Sequence, residues 1–132
     1  DELVSLKEQR PDWSVLVGPE HLLLESLRRG GDGGVNGGAN FHPRLFVGLY
    51  EAFRAGDTVR AEEMQRQLLQ LGQIYRIGQH ASSVVKGMKC ACSLLGLCAD
   101  RMAEPFEHFH EPERRQVREI LAALELLPAE GK

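Results

Sequence analysis

The stretch that decides the fold is Gly30–Asn40, GGDGGVNGGAN, in which six of the nine residues from Gly30 to Gly38 are glycine. Before it come a short apolar run, Trp13–Val17, and an amphipathic segment, Pro19–Arg29. From Pro43 onward, the apolar residues recur at helical spacing. A strand, a crossover helix, a second strand and then helices predict a parallel α/β unit.

The two predicted strands differ in how strongly their residues favour extended structure. Trp13–Val17 is rich in β-branched and aromatic residues, whereas Asp32–Asn36 contains two glycines and is supported only by its context. The segment between them, Pro19–Arg29, is long enough for a crossover helix, and this predicts parallel pairing. Two strands do not make a stable parallel sheet, because both faces and both edges need cover. We therefore expect the missing strands upstream or on another chain.

Helical periodicity predicts the elements that follow. A helix is expected over Pro43–Ala55, and Pro112 opens the last helix after an irregular connector, Leu97–His110. The predicted buried face of the helix after Asp57 consists of Ala61, Met64, Leu68, Leu71 and Ile74. The predicted buried face of the following helix consists of Val85, Met88, Cys92 and Leu95.

Composition excludes several classes of protein. The 132 residues carry 16 basic and 19 acidic side chains, interspersed, for a net charge of −3, and this argues against binding of nucleic acid. No apolar run approaches the roughly 18 residues that cross a bilayer, so no membrane association is expected. The three cysteines, Cys90, Cys92 and Cys98, are interpreted as free thiols of a reducing compartment, which predicts a cytoplasmic protein.

Three other patterns were weighed as possible sites. The glycine cluster contains no G-x-G-x-x-G window, so a close-packed turn is a better interpretation than a phosphate-binding loop. Lys86 and Lys89 lie on a late helix, where we expect a solvated or structural role and not an imine-forming one. His108 and His110 are two possible metal ligands without an evident third. No metal and no organic cofactor is therefore expected.

Two longer stretches carry a likeness to a known family. Ser14–Asp57, SVLVGPEHLLLESLRRGGDGGVNGGANFHPRLFVGLYEAFRAGD, resembles the C-terminal part of the dihydrodipicolinate synthase / N-acetylneuraminate lyase family, and so does Ser82–Leu97, SSVVKGMKCACSLLGL. The likeness runs from about Glu2 to Leu126 and is strongest over Val15–Asp57 and Ser83–Leu97.

This resemblance implies a (β/α)8 TIM barrel followed by an all-helical extension. Trp13–Val17 and Asp32–Asn36 then correspond to barrel strands 7 and 8, each with its following helix. Residues 1–56 are expected to be the C-terminal part of the barrel, and residues 57–132 the helical extension.

The resemblance also implies an activity. Enzymes of this family are class I aldolases or lyases that form a Schiff base between a lysine and pyruvate or a related 2-keto acid. The family's lysine on barrel strand 6 and its activating tyrosine on strand 5 would both precede Asp1, so this chain is expected to lack the catalytic pair. The intact enzyme is expected to be a homotetramer, as is common in the family.

The candidate substrate-binding residues follow the two strands. By resemblance, Gly18 and Val35 border the pyruvate, because they match the family's glycine after strand 7 and its aliphatic residue on strand 8. Glu20 and Asn36 are expected near the variable part of the substrate, and Pro19 and Gly37 complete the two loops. Pro19-Glu20 differs from the acidic pair of many synthases in the family, which leaves the second substrate and the direction of reaction open.

One alternative belongs to another class of protein. The chain is also compatible with a non-catalytic helical interaction module in which residues 13–36 form a small appendage. A strand ending in lysine about 20 to 30 residues before Asp1, the length of one βα unit, would distinguish the lyase from the module.

Overall fold

Two very short strands lie side by side around the glycine cluster. In the computed structural model, which describes residues 2–78 and 80–127, β1 is Leu16–Val17 and β2 is Gly33–Gly34. They pair in parallel, with Leu16 opposite Gly33 and Val17 opposite Gly34. The predicted parallel pair is confirmed. Both strands are shorter than the five-residue segments predicted for them, although one backbone hydrogen bond continues the contact at each end.

The connection between the strands is helical, as predicted, but it consists of two parts. A 3-10 turn at Glu20–Leu22 leads into α2, Leu23–Arg28. The helix ends where the Gly31 N–H donates to the Ser26 carbonyl at 2.8 Å and Gly30 adopts a φ of 90°. This is the glycine-closed helix end that the sequence predicts, since a left-handed conformation costs glycine little.

The remaining elements are helical. α1 spans Glu2–Gln9, α3 Pro43–Arg54, α4 Thr58–Leu71, α5 Ser83–Leu94 and α6 Glu111–Ala123, with further 3-10 turns at Gly37–Asn40 and Gly72–Arg76. Pro43 and Pro112 lie in the first turns of α3 and α6, where their missing N–H groups leave no acceptor unpaired. The predicted connector before α6 is irregular in the structure as well.

The chain divides into two compact units, one ending at Leu69 and the other beginning at Gln70. The core of the first unit is Leu23, Leu24, Leu27, Phe41, Leu45, Phe46, Leu49, Ala52, Ala61 and Leu68. The core of the second is Leu71, Ile74, Ile77, Cys90, Ala91, Cys92, Phe109, Val117 and Leu121. The predicted buried face of α4 is thus confirmed except for Met64, which is only half-buried. The predicted domain boundary between residues 56 and 57 refers to an intact barrel and stays a prediction.

The buried face of α5 agrees with the predicted one only in part: Cys92 is buried as predicted, whereas Met88 and Leu95 are half-buried. Val85 is 42% exposed, whereas Cys90 and Ala91 are fully buried. The face of α5 that packs against the 3-10 turn at Gly72–Arg76 contains small residues. A Cβ on Gly87 would lie 2.9 Å from the Ile74 carbonyl oxygen in that turn. The helix therefore buries the face whose small side chains allow the closest backbone approach. The larger aliphatic side chains do not indicate which face of α5 is buried.

Two further features of the described residues bear on the sequence predictions. Trp13, which opens the first predicted strand, lies outside β1 and is exposed, and the Arg10 guanidinium lies 4.4 Å from the centroid of its ring. None of the helices in the described part of the chain combines the length and the apolar character needed to cross a membrane.

Candidate functional site

The candidate site lies at the carboxyl ends of β1 and β2. Because the strands are parallel and adjacent, the loops Gly18–Glu20 and Val35–Gly37 leave the sheet at the same edge. All six residues predicted from the sequence lie in these two loops. In parallel α/β folds this edge is where ligands bind, since the loops following the strands converge there.

Asn36 joins the two loops through its side chain. Its carboxamide nitrogen donates to the Gly18 carbonyl at 2.7 Å and lies 3.3 Å from the Val17 carbonyl. The side chain is buried, with 9% of its surface exposed. An amide buried with its donor paired stabilises the juxtaposition of the loops, because separating them would leave that donor unsatisfied.

Glu20 makes a second connection in the opposite direction. It is buried, and one of its carboxylate oxygens accepts a hydrogen bond from the backbone N–H of Gly38, which lies in the 3-10 turn after β2. A charged acceptor paired with a backbone N–H is among the stronger hydrogen bonds in proteins. Each loop thus supplies one buried side chain that binds the backbone of the other.

A residue that the sequence did not single out also binds the first loop. The Gln65 carboxamide, on α4, donates to the Glu20 carbonyl at 3.2 Å and accepts from the Leu24 N–H at 3.0 Å. It therefore connects the first residue of the 3-10 turn with the first turn of α2. Gln65 occupies an ordinary polar position between buried helix residues, so no sequence pattern indicates this role.

The remaining predicted residues leave part of the edge open. Gly18 and Pro19 are exposed, and Val35 is 72% exposed. A Cβ at Gly18 would meet no atom within 4 Å, so this stretch of backbone is accessible. The exposed surface of the edge thus consists of backbone, the Pro19 ring and the Val35 side chain, whereas Glu20 and Asn36 point their polar groups at neighbouring backbone.

Asp32 stabilises the amino-terminal end of the strand pair, which is opposite the end that carries the candidate site. Its carboxylate accepts from the Val15 N–H at 2.7 Å and from the Lys7 ammonium at 3.0 Å. The hydrogen bond from Val15, followed by that from Lys7, holds the pKa of the Asp32 carboxyl below its usual value. The strand pair is therefore held by polar side chains at both ends.

An apolar groove of about 370 Å³ runs beside β2. Leu16, Phe46, Val47 and Tyr50 are among the side chains that line it, together with backbone of the glycine cluster. Leu16 and Val47 are more than half exposed. The groove makes one flank of the strand pair apolar and accessible.

The other candidate side chains named from the sequence lie on the second unit. The Lys89 ammonium donates to the Arg101 carbonyl at 2.6 Å, as expected of a structural lysine. The rings of His108 and His110 lie 5.6 Å apart, and among the described residues no three His, Cys, Asp or Glu side chains are arranged to hold a metal ion. The three cysteines are free thiols, and burial raises the pKa of Cys90 and Cys92.

A parallel strand–helix–strand unit with its loops joined at one edge, followed by helices, belongs to the α/β class and recurs in (β/α)8 barrels as well as in open parallel sheets. Comparison with known proteins agrees. The model of the dihydrodipicolinate synthetase family matches residues 1–124. The chain belongs to this family.

Individual relatives support the same assignment. The chain is 35% identical, over 94% of its length, to the probable 2-dehydro-3-deoxy-D-pentonate aldolase YjhH of Escherichia coli K12. It superposes with a TM-score of 0.84 and 44% identity on 91% of its length with dihydrodipicolinate synthase of Bacteroides thetaiotaomicron. With YagE of Escherichia coli K12, solved in complex with pyruvate, the TM-score is 0.85 at 31% identity over 95% of this chain. The chain spans only 40% of YjhH, 41% of the Bacteroides chain and 43% of the YagE chain.

Proposed function

We propose that this chain is the C-terminal part of a (β/α)8 barrel enzyme that makes or breaks a carbon–carbon bond through a lysine Schiff base with pyruvate or a related 2-keto acid. In this proposal β1 and β2 are barrel strands 7 and 8, and the later helices form the extension. The observation that carries it is the parallel β1–β2 pair, whose following loops are joined at one edge. The family match and the coverage of about two fifths of each relative support it.

The chemistry follows from the imine. A lysine amine adds to the keto carbon and water leaves, so the carbonyl oxygen is replaced by a protonated imine nitrogen. In cleavage, the protonated imine accepts the electron pair of the carbon–carbon bond that breaks beside it and becomes an enamine. In synthesis, the imine first loses a proton from the carbon next to it, and the resulting enamine supplies the electron pair of the new bond. In this proposal the lysine and the activating tyrosine precede Asp1 in the complete protein, and the chain contributes part of the substrate wall.

The wall has two parts in this proposal. Gly18 and Val35 border the keto acid, which their exposure supports, and the absence of a side chain at Gly18 lets the ligand approach the backbone. Glu20 and Asn36 lie near the variable part of the substrate, and Pro19 and Gly37 complete the two loops. Glu20 and Asn36 belong to the same wall, where they shape the two loops through their hydrogen bonds.

Borohydride trapping tests the imine. The complete protein incubated with pyruvate and sodium borohydride should gain the mass of one pyruvic acid less one oxygen atom, on a single lysine located by peptide mass spectrometry. The same protein with borohydride alone is the control and should gain nothing. A complete protein that retains the lysine and forms no adduct with pyruvate or other 2-keto acids would refute the proposal.

The alternative of a helical interaction module is not favoured, because the match to an enzyme family extends from residue 1 to residue 124. The proposal includes a homotetramer, to be tested by light scattering of the complete protein. It also keeps a cytoplasmic location, which the three free thiols support.

A further inference from the structure

Three polar side chains, Glu20, Asn36 and Gln65, form what we call the loop clamp around Gly18–Glu20. Asn36 binds the Gly18 carbonyl, Gln65 binds the Glu20 carbonyl, and the Glu20 carboxylate binds the Gly38 N–H. Both ends of this three-residue loop are therefore attached to other parts of the same unit. The carbonyl on each side of Pro19-Glu20 has a fixed direction as a result.

Packing holds only one residue of this loop, Glu20, which is buried. Gly18 and Pro19 are exposed, and the space around Gly18 is open to at least 4 Å from an ideal Cβ. Among the side chains that the structure describes around it, the order of the loop depends on the hydrogen bonds of the clamp. A loop held in this way is preorganised for a ligand, because its ordering cost is met before binding.

Gln65 is the member of the clamp farthest from the loop in sequence. Its donor and acceptor atoms bind Glu20 and Leu24, which lie 45 and 41 residues earlier in the chain. Both bonds are partly buried. Their loss would leave the Leu24 N–H without this acceptor, whereas the Glu20 carbonyl would keep the hydrogen bond from the Leu23 N–H. No other element in the first unit reaches both backbone groups through a hydrogen bond that the structure describes.

We infer that Gln65 is a positioning residue that sets the affinity of the site for its 2-keto acid by holding the Glu20 end of the Gly18–Glu20 loop in place from α4. This inference rests on the proposed function, in which Gly18 borders the keto acid. Gln65 itself does not contact the reacting atoms. Its removal should weaken binding of the keto acid and leave the chemistry of the lysine intact.

The test compares variants of the complete protein by borohydride trapping over a range of pyruvate concentrations. Gln65→Met keeps the length of the side chain but loses both hydrogen bonds, so the half-saturating pyruvate concentration should rise roughly tenfold at unchanged maximal adduct. Gln65→Glu keeps the acceptor for Leu24 but places a carboxylate oxygen against the Glu20 carbonyl oxygen, so its half-saturating concentration should rise at least as much as that of Gln65→Met. Gln70→Met, the same change at an exposed position of α4, should behave as wild type.

A general loss of stability is controlled by Leu68→Val, a core change on the same helix. It should lower the melting temperature without changing the half-saturating concentration. Equal half-saturating concentrations for wild type and Gln65→Met would overturn the inference while leaving the imine mechanism intact, and so would an equal rise in Leu68→Val. Wild-type protein that traps no 2-keto acid would instead refute the proposed function, and this inference with it.

Discussion

At the scale of single residues, helix ends show how the backbone selects a side chain. Three helices end in the same pair of backbone hydrogen bonds with a glycine at positive φ, namely Gly30, Gly56 and Gly96. α6 ends in the same way, with Glu125 donating to Ala122 and Leu126 donating to Leu121, both at 2.9 Å. Here, however, Glu125 adopts a φ of 59°, a conformation that costs a residue with a Cβ about 1–2 kcal/mol.

Glu125→Gly should therefore stabilise the second unit. The substitution removes the backbone strain at Glu125, but the greater conformational entropy of glycine in the unfolded chain offsets part of this gain. The free energy of unfolding should therefore increase by roughly 0.5–1 kcal/mol. Urea unfolding followed by circular dichroism measures the change. The matched control is Glu119→Gly, at an exposed position inside α6, which should destabilise by about 1 kcal/mol. A loss of stability in both variants would contradict this account of the helix end.

At the scale of elements, two helices contain a buried glycine for different reasons. A Cβ at Gly48 in α3 would approach the terminal methyl group of Met64 to 2.7 Å, and that group ends a flexible side chain. A Cβ at Gly87 in α5 would lie 2.8 Å from Ile74 Cγ2 and 2.9 Å from its carbonyl oxygen, which belongs to the backbone. The first neighbour can move aside, whereas the second requires the helix to shift.

Replacing each glycine by alanine separates these two cases. Alanine gains about 1 kcal/mol in helix propensity at both positions. Gly48→Ala should keep most of that gain, because Met64 adopts another rotamer. Gly87→Ala should instead destabilise by about 1–3 kcal/mol, because overpacking outweighs the propensity. In thermal unfolding, the melting temperature should rise for Gly48→Ala and fall for Gly87→Ala. A rise in both variants would show that the Ile74 segment can move to accommodate the added methyl group.

At the scale of the whole molecule, the strand pair exposes apolar surface that a barrel would cover. The groove beside β2 and the exposed Leu16, Val35 and Val47 all lie on the first unit. Contiguous apolar surface of this kind marks a place where another part of a protein packs. In the proposed barrel, the neighbouring strands and helices would occupy this flank.

Binding of a fluorescent probe tests whether the complete protein covers the apolar groove beside β2. The 132-residue chain expressed alone should bind 8-anilinonaphthalene-1-sulfonate severalfold more strongly than the complete protein does. Val47→Ser should reduce the signal of the chain alone, since Val47 lines the groove. Val59→Ser, at a residue 79% exposed and absent from the groove lining, is the matched control and should leave the signal unchanged. Equal binding by the chain and the complete protein would contradict a covered groove.

The sequence by itself determined the order of the elements and the family. Turn residues and periodicity are local signals, so the parallel pair around the glycine cluster, the prolines that open α3 and α6, and the buried face of α4 were all predictable. It also located the two loops of the candidate site, because these directly follow the strands.

Only the tertiary structure decided which side chains hold those loops and which face of α5 is buried. Gln65 reaches Glu20 across 45 residues, and a hydrogen bond between distant parts of a chain leaves no local pattern. On α5, the small residues Gly87, Cys90 and Ala91 are buried and Val85 is not. Close contact between the α5 backbone at Gly87 and Ile74 selects the buried face of α5. A prediction based on large hydrophobic side chains misses this face, because glycine and alanine contribute little to hydrophobic periodicity.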